Sequence, residues 1–243
     1  MTTSYALLQL VKLLDVTRLH EGDNEQQMQN WLATLPLTPE PIAAFCVYPQ
    51  FLSLTEHFIQ QQQAKVALAT VVNFPEGNHP LPKVLADIAA ALSQGADEID
   101  CVLPYQTLLA GDESTVAEFL SAVRQACTGV CLKIIIESGE LLTAQQITKA
   151  TELVIASGAD FVKTSTGKVP VGVTLEAARI ILTSIAAAER RVGFKASGGV
   201  KTVEQALALV ALYESITGRA AAADSMRIGA STLLIELCQQ LSV

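Results

Sequence analysis

The chain is poor in the side chains that usually announce a metal or histidine-based site. Among its 243 residues are three histidines (His20, His57, His79) and one tryptophan, and aromatics make up 5%. The five cysteines (Cys46, Cys101, Cys127, Cys131, Cys238) are odd in number and set among apolar residues. Cys127 and Cys131 stand alone, with no second pair and no histidine beside them, so no metal is expected. Free thiols in a reducing cytosol are the simplest reading. No basic run exceeds Arg190–Arg191 and the net charge is −8. Bulk nucleic-acid binding, which needs a positive stripe, is excluded. No apolar run reaches the roughly 18–20 residues of a membrane helix. Lys12 and Asp15 interrupt the apolar residues of the N-terminal segment, which lacks the features of a signal peptide. A cytoplasmic protein with no membrane or nucleic-acid partner is expected. Glycines and prolines are scattered singly and half the residues are apolar, which excludes disordered, collagen-like and low-complexity chains.

What is present is alternation. Short apolar, β-branched runs at Ala43–Tyr48, Val66–Asn73, Glu98–Leu103, Val130–Glu137, Asp160–Thr164 and Val192–Ala196 read as strands. Most are apolar nearly throughout, as in parallel strands covered on both faces. Leu13–Arg18, after an N-terminal helix, and Met226–Gly229 are weaker strands that complete eight. Helix signals lie between them: Pro82–Ser93, a capping box at Thr143–Gln146, Thr174–Glu189, a second capping box at Thr202–Gln205 opening Val203–Tyr213, and Ser231–Leu241. Gly95-Ala-Asp97 and Gly158-Ala-Asp160 repeat one device, a glycine helix stop followed directly by a strand. Eight β/α repeats without a linker, in a chain near the usual ~250 residues, predict one (β/α)8 TIM barrel spanning residues 1–243 with an extra N-terminal helix. The competing open doubly wound sheet lacks a G-x-G-x-x-G at its first βα turn.

Chemistry in such a barrel sits at the C-terminal ends of the strands. Here charge interrupts apolar strands: Lys133 in CLKIIIES, Lys163 in DFVKTSTG, Lys195 in VGFKASGG and Asp100 in EIDCVLP. The period of two puts Lys133, Ile135 and Glu137 on one face, and Glu98, Asp100 and Val102 on another. A buried ion-pair network, such as Lys133 with Glu137 or Asp100, would account for some of these charges structurally. Two lysines in one barrel mouth also carry chemical meaning. Free lysine has a pKa of about 10.4. Burial and a neighbouring cation favour the neutral amine, which attacks carbonyls to form a Schiff base. A nearby carboxylate such as Asp100 can move protons.

Three glycine-bearing loops follow the last strands: Thr164–Lys168, Gly198-Gly199 and Gly229–Thr232. Such loops and adjoining helix N-termini bind phosphate, and the loops after strands 7 and 8 are the common barrel phosphate site. A phosphorylated substrate is expected. A phosphosugar isomerase would need a carboxylate base and a neutral electrophile, and the three histidines fall outside the strand ends. A non-catalytic phosphosugar-binding protein would need no reactive lysine.

The segments LDVT (Leu14–Thr17), FCVYP, TVVNFPEGN, GADEIDCVLPY, LKIIIESGEL, GADFVKTSTGK, GFKASGG and RIGAS run in order along nearly the whole chain. In them the sequence closely resembles the deoxyribose-phosphate aldolase family of class I aldolases. The resemblance implies a (β/α)8 fold and reversible cleavage of 2-deoxy-D-ribose 5-phosphate to D-glyceraldehyde 3-phosphate and acetaldehyde, in cytoplasmic deoxynucleoside catabolism. It implies Lys163 as the Schiff-base lysine, Lys195 as the lysine that perturbs it, and Asp100 as the carboxylate that shuttles protons with a water. It places Gly167, Lys168, Gly198, Gly199, Gly229 and Ser231 at the phosphate loops and Asp15, Thr17, Cys46, Lys133 and Thr166 in the supporting substrate shell. No cofactor or metal is implied. The expected partners are small phosphorylated sugars and aldehydes, with a homodimer left open as the assembly. Some members use a C-terminal tyrosine in proton transfer. The last tyrosine here is Tyr213, and no such role is carried over.

Overall fold

The computed structural model describes residues 2–36, 38 and 40–241. A first helix, α1 (Thr2–Leu13), runs directly into β1 (Leu14–Arg18). Then follow α2 (Glu25–Ala33), β2 (Ala44–Val47), a 3-10 turn at Pro49–Phe51, α3 (Leu52–Gln61), β3 (Ala67–Val72) and α4 (Leu81–Ser93). The chain continues through β4 (Glu98–Val102), α5 (Tyr105–Leu109), α6 (Glu113–Ala126), β5 (Cys131–Ile135), α7 (Ala144–Ala156) and β6 (Phe161–Lys163). It ends with α8 (Leu175–Ala187), β7 (Gly193–Ser197), α9 (Val203–Thr217), β8 (Met226–Ala230) and α10 (Leu233–Leu241). The eight strands pair in parallel, each with its neighbours in sequence, and β1 pairs with β8 to close the barrel.

Local sequence accounts for these elements. Thr143 and Thr202 each accept from the backbone N–H three residues on while Gln146 and Gln205 reach back, so both capping boxes form. The stops at Gly95 and Gly158 take left-handed φ values of 88° and 85°. Strands are shorter than their apolar runs. Val130–Glu137 contributes only Cys131–Ile135 to the ladder, while Ile136 beyond it is fully buried. Backbone hydrogen bonds from the Ile136 and Ser138 N–H groups to the Lys163 and Thr164 carbonyls carry the β5–β6 contact on into the mouth. Helix α9 extends four residues past Tyr213 to a left-handed stop at Gly218, and α10 starts at Leu233, leaving Ser231 and Thr232 in the preceding loop.

The strand outer faces and the helices share one large core, in which Leu10, Leu14, Val84, Ile99, Leu120, Ile134, Val154, Ile181 and Phe194 are sealed from solvent. A second, small cluster comprises Ala44, Cys46, Ala69 and Val71, alternate residues of β2 and β3. Cys46 Sγ lies 3.9 Å from Asp100 Oδ2, so this face looks into the barrel. Small side chains there leave volume for long charged ones from β5, β6, β7 and β8. Gly193 serves the same end. A Cβ there would lie 2.3 Å from the Phe161 ring, which in turn packs against the Arg227 guanidinium.

Candidate active site

Strand register assembles the charges. Asp100 on β4 stands opposite Lys133 on β5, Lys163 on β6 opposite Lys195 on β7, and Lys195 opposite Arg227 on β8. Asp100 is the hub. Its Oδ2 accepts from Lys163 Nζ and from Lys195 Nζ, each at 2.7 Å, and its Oδ1 accepts from Lys133 Nζ at 2.9 Å. Lys195 also donates to Asp15 Oδ2 at 2.5 Å. Lys133 donates to Glu98 and lies 3.8 Å from Asp15. Arg227 donates to Asp15 at 2.7 Å and to Glu98 at 2.9 Å.

All seven groups are buried, which costs several kcal/mol per ion unless each is paired. Burial opposes ionisation of Asp100, but Lys133, Lys163 and Lys195 outweigh it and hold the carboxyl well below its ordinary 3.8. Asp15 is lowered in the same way, by Lys195, Lys133 and Arg227 against its burial. Burial likewise works against the Lys195 ammonium, yet Asp100 and Asp15 raise it above the ordinary 10.5, so Lys195 stays a cation. Lys133 is raised further by Asp100, Asp15 and Glu98 against the same penalty. Burial pushes the Cys46 thiol up, and it remains neutral.

Above the network opens a cavity of about 540 Å³. It receives Lys163 from β6, Thr166, Gly167 and Lys168 from the loop after it, Ser197–Lys201 from the end of β7, and Gly229–Thr232 from the end of β8. Thr17, Arg18, Leu19 and His20 close the side at β1, with Trp31 and Ile235 from α2 and α10. Gly198 has a left-handed φ of 81° and lies against Gly167 and Gly172, so the loops after β6 and β7 approach more closely than side chains would allow. Ser197 Oγ donates to the Ser165 carbonyl and Thr164 Oγ1 to the Ser197 carbonyl, tying the ends of β6 and β7 together. The Lys168 ammonium sits 3.2 Å from Glu21 and over the Tyr48 ring.

The expected residues thus fall into two layers. Lys163, Thr17, Thr166, Gly167, Lys168, Gly198, Gly199, Gly229 and Ser231 line the cavity, whereas Asp100, Lys195, Asp15, Cys46 and Lys133 lie beneath it. Lys133 takes Asp100 and Glu98 as partners rather than Glu137. Glu137 lies two residues past the end of β5, with φ 51°, so the strand alternation does not extend to it. Its carboxylate accepts from the Thr166 N–H and hydroxyl, and burial raises its pKa above the ordinary 4.5. His20, set outside the strand ends by sequence, lines the cavity mouth two residues past β1, largely exposed and 3.5 Å from Asp23. Sequence reading missed Arg227, although charge within an apolar strand is the signal that found the lysines. Glu98 was placed on the Asp100 face without a role. Among the described residues no group of three or more histidine, cysteine or carboxylate side chains could hold a metal ion.

A deoxyribose-phosphate aldolase of Agrobacterium fabrum (strain C58) is 43% identical over 234 residues, which are 96% of this chain and 90% of that protein. The solved structure of QR15, an aldolase, superposes with a TM-score of 0.79 at 28% identity, covering 95% of this chain and 96% of that one. The tetrameric deoxyribose phosphate aldolase from Aeropyrum pernix shares the fold, with a TM-score of 0.78 at 23% identity over 97% of this chain and 92% of that one. The family model described as DeoC/LacD family aldolase matches residues 10–235, nearly the whole barrel, and the chain therefore belongs to this family of aldolases.

Proposed function

We propose that this aldolase reversibly cleaves 2-deoxy-D-ribose 5-phosphate to D-glyceraldehyde 3-phosphate and acetaldehyde through a Schiff base on Lys163, in cytoplasmic deoxynucleoside catabolism. The observation that carries the assignment is access: of the three lysines in the barrel network, only Lys163 lines the cavity. The 43% identity to a deoxyribose-phosphate aldolase supports the substrate.

The Lys163 amine adds to the C1 aldehyde of the open-chain sugar, and loss of water gives an iminium. Deprotonation of the C3 hydroxyl breaks the C2–C3 bond, with its electron pair held as an enamine, and the phosphorylated aldehyde leaves. The enamine takes a proton at C2, and water releases acetaldehyde and the amine. Asp100, 2.7 Å from Lys163 Nζ, stabilises the iminium charge and passes protons through water. Lys195, paired with both Asp100 and Asp15, is the fixed cation of the site. The loops bearing Gly167, Gly198, Gly199, Gly229 and Ser231 take the phosphate, whose binding energy orients the carbonyl.

Turnover with the phosphorylated and the free sugar tests this reading. The phosphorylated sugar is strongly preferred. Ser231→Asp, which sets a negative charge beside the phosphate, depresses kcat/KM for it far more than for 2-deoxyribose. Equal losses on both would remove Ser231 from the phosphate site, and no cleavage of either sugar would overturn the proposal.

A further inference from the structure

We propose that Arg227 and Glu98, which do not line the cavity, are positioning residues that fix the charge count of the barrel interior and so leave Lys163 as the surplus cation, the one that gives up its proton. The inference deepens the function proposed above and rests on it for its catalytic meaning.

The ion-paired set comprises three carboxylates, Asp15, Glu98 and Asp100, against four cations, Lys133, Lys163, Lys195 and Arg227. With Lys163 charged, the buried cluster carries one excess positive charge. With Lys163 neutral, it balances. An uncompensated charge in a dry interior is costly, so the cluster releases the proton held most weakly. Three cations are each shared between two or more carboxylates: Lys133 by Glu98, Asp100 and Asp15, Lys195 by Asp15 and Asp100, and Arg227 by Asp15 and Glu98. Lys163 has Asp100 alone, and shares that oxygen with Lys195. Lys163 is also the lysine that meets the cavity, where the proton can leave.

The balance depends on Arg227. Its two terminal nitrogens bridge Asp15 and Glu98, the carboxylates that hold Lys195 and Lys133. Its Nε donates to the Ala223 carbonyl and its Cζ lies 5.6 Å from the Phe161 ring centroid. The other ionisable groups near Lys163 form no ion pair with this set among the described residues. Cys46 on β2 is a neutral thiol, and Glu137 after β5 is held instead by the Thr166 N–H and hydroxyl, with burial raising its carboxyl above the ordinary 4.5. Lys168, on the loop after β6, pairs with Glu21.

The test follows how readily Lys163 reacts as an amine across pH. Acetic anhydride labels free amines, and peptide mapping by mass spectrometry reads Lys163 alone. Arg227→Gln removes one permanent cation, so the Lys163 ammonium becomes the balancing charge. Its labelling curve and the acid limb of kcat/KM both move up by about one pH unit, a tenfold loss of free amine at a given pH. Arg227→Lys keeps the charge and leaves the curve in place. Glu98→Gln moves it down, and the double variant Glu98→Gln/Arg227→Gln returns it to the wild-type position. Should Arg227→Gln fail to fold, the Glu98→Gln and double-variant curves carry the same contrast. A loss uniform across pH, or equal shifts in Arg227→Gln and Arg227→Lys, would overturn the proposal and reduce both residues to structural support. Absence of a reducible adduct on the wild-type enzyme would overturn the Schiff-base reading instead, while the labelling curves would still decide the charge count.

Discussion

Lys163 and Lys195 stand equally far from one oxygen, 2.7 Å from Asp100 Oδ2, and their surroundings make them different reagents. Lys195 is sealed and held by a second carboxylate, Asp15, whereas Lys163 opens on the cavity. Different substitutions separate the two roles. Lys163→Arg keeps a cation but removes the amine that forms an imine, so cleavage collapses and no adduct is trapped with borohydride. Lys195→Leu leaves that amine but removes a neighbouring cation. It should be much slower at neutral pH, recover in part as pH rises, and still be trapped at Lys163. The substitution leaves Asp15 and Asp100 short of a partner, at a cost of about 3–5 kcal/mol, so folding is checked first by circular dichroism. Activity that falls equally at every pH would argue that Lys195 does not act through the charge state of Lys163.

Among the elements, β7 shows how packing holds the charges. Gly193 opens the space filled by Phe161, and Phe161 backs Arg227. Gly193→Ala must displace the ring and is expected to cost about 1–3 kcal/mol by overpacking, read as a lower urea midpoint. An unchanged midpoint would show that the ring has room to move. Helix α7 gives a contrasting case, because its capping box lies away from the cavity. Thr143→Ala should cost about 1 kcal/mol, lowering Tm by about 2–4 °C, with kcat/KM unchanged. The capping boxes, glycine stops and strand runs were legible because each is a local signal. The helices α2, α3 and α6 were not drawn from sequence, since their apolar faces are diluted by glutamines and charges. Lys163, Lys195 and Asp100 stood out as charges in apolar strands. The partnership of Arg227 with Asp15 was not legible, because 212 residues separate them and only closure of β8 onto β1 brings them together.

For the molecule as a whole, the buried network ties stability to pH. Asp15 and Asp100 ionise near 3.8 when unfolded and below that when folded. Their contribution is therefore complete above about pH 5 and is lost as pH falls toward the folded values. Lys133 and Lys195 are raised above 10.5, so their contribution is complete below that pH and is lost only as pH rises through the folded values. Glu137 works in the opposite sense to the aspartates, since its raised carboxyl favours the fold below 4.5. With two lowered carboxyls against one raised, the urea midpoint should fall between pH 5 and pH 3. A midpoint constant down to pH 3 would contradict the network's ionisation. The central claim is that the reaction runs through an imine on Lys163, and the direct measurement is the intact mass of the protein after borohydride reduction with acetaldehyde, followed by peptide mapping. The account predicts one added ethyl group, located on Lys163. An adduct on Lys195, or cleavage of 2-deoxyribose 5-phosphate with no adduct on any lysine, would contradict it.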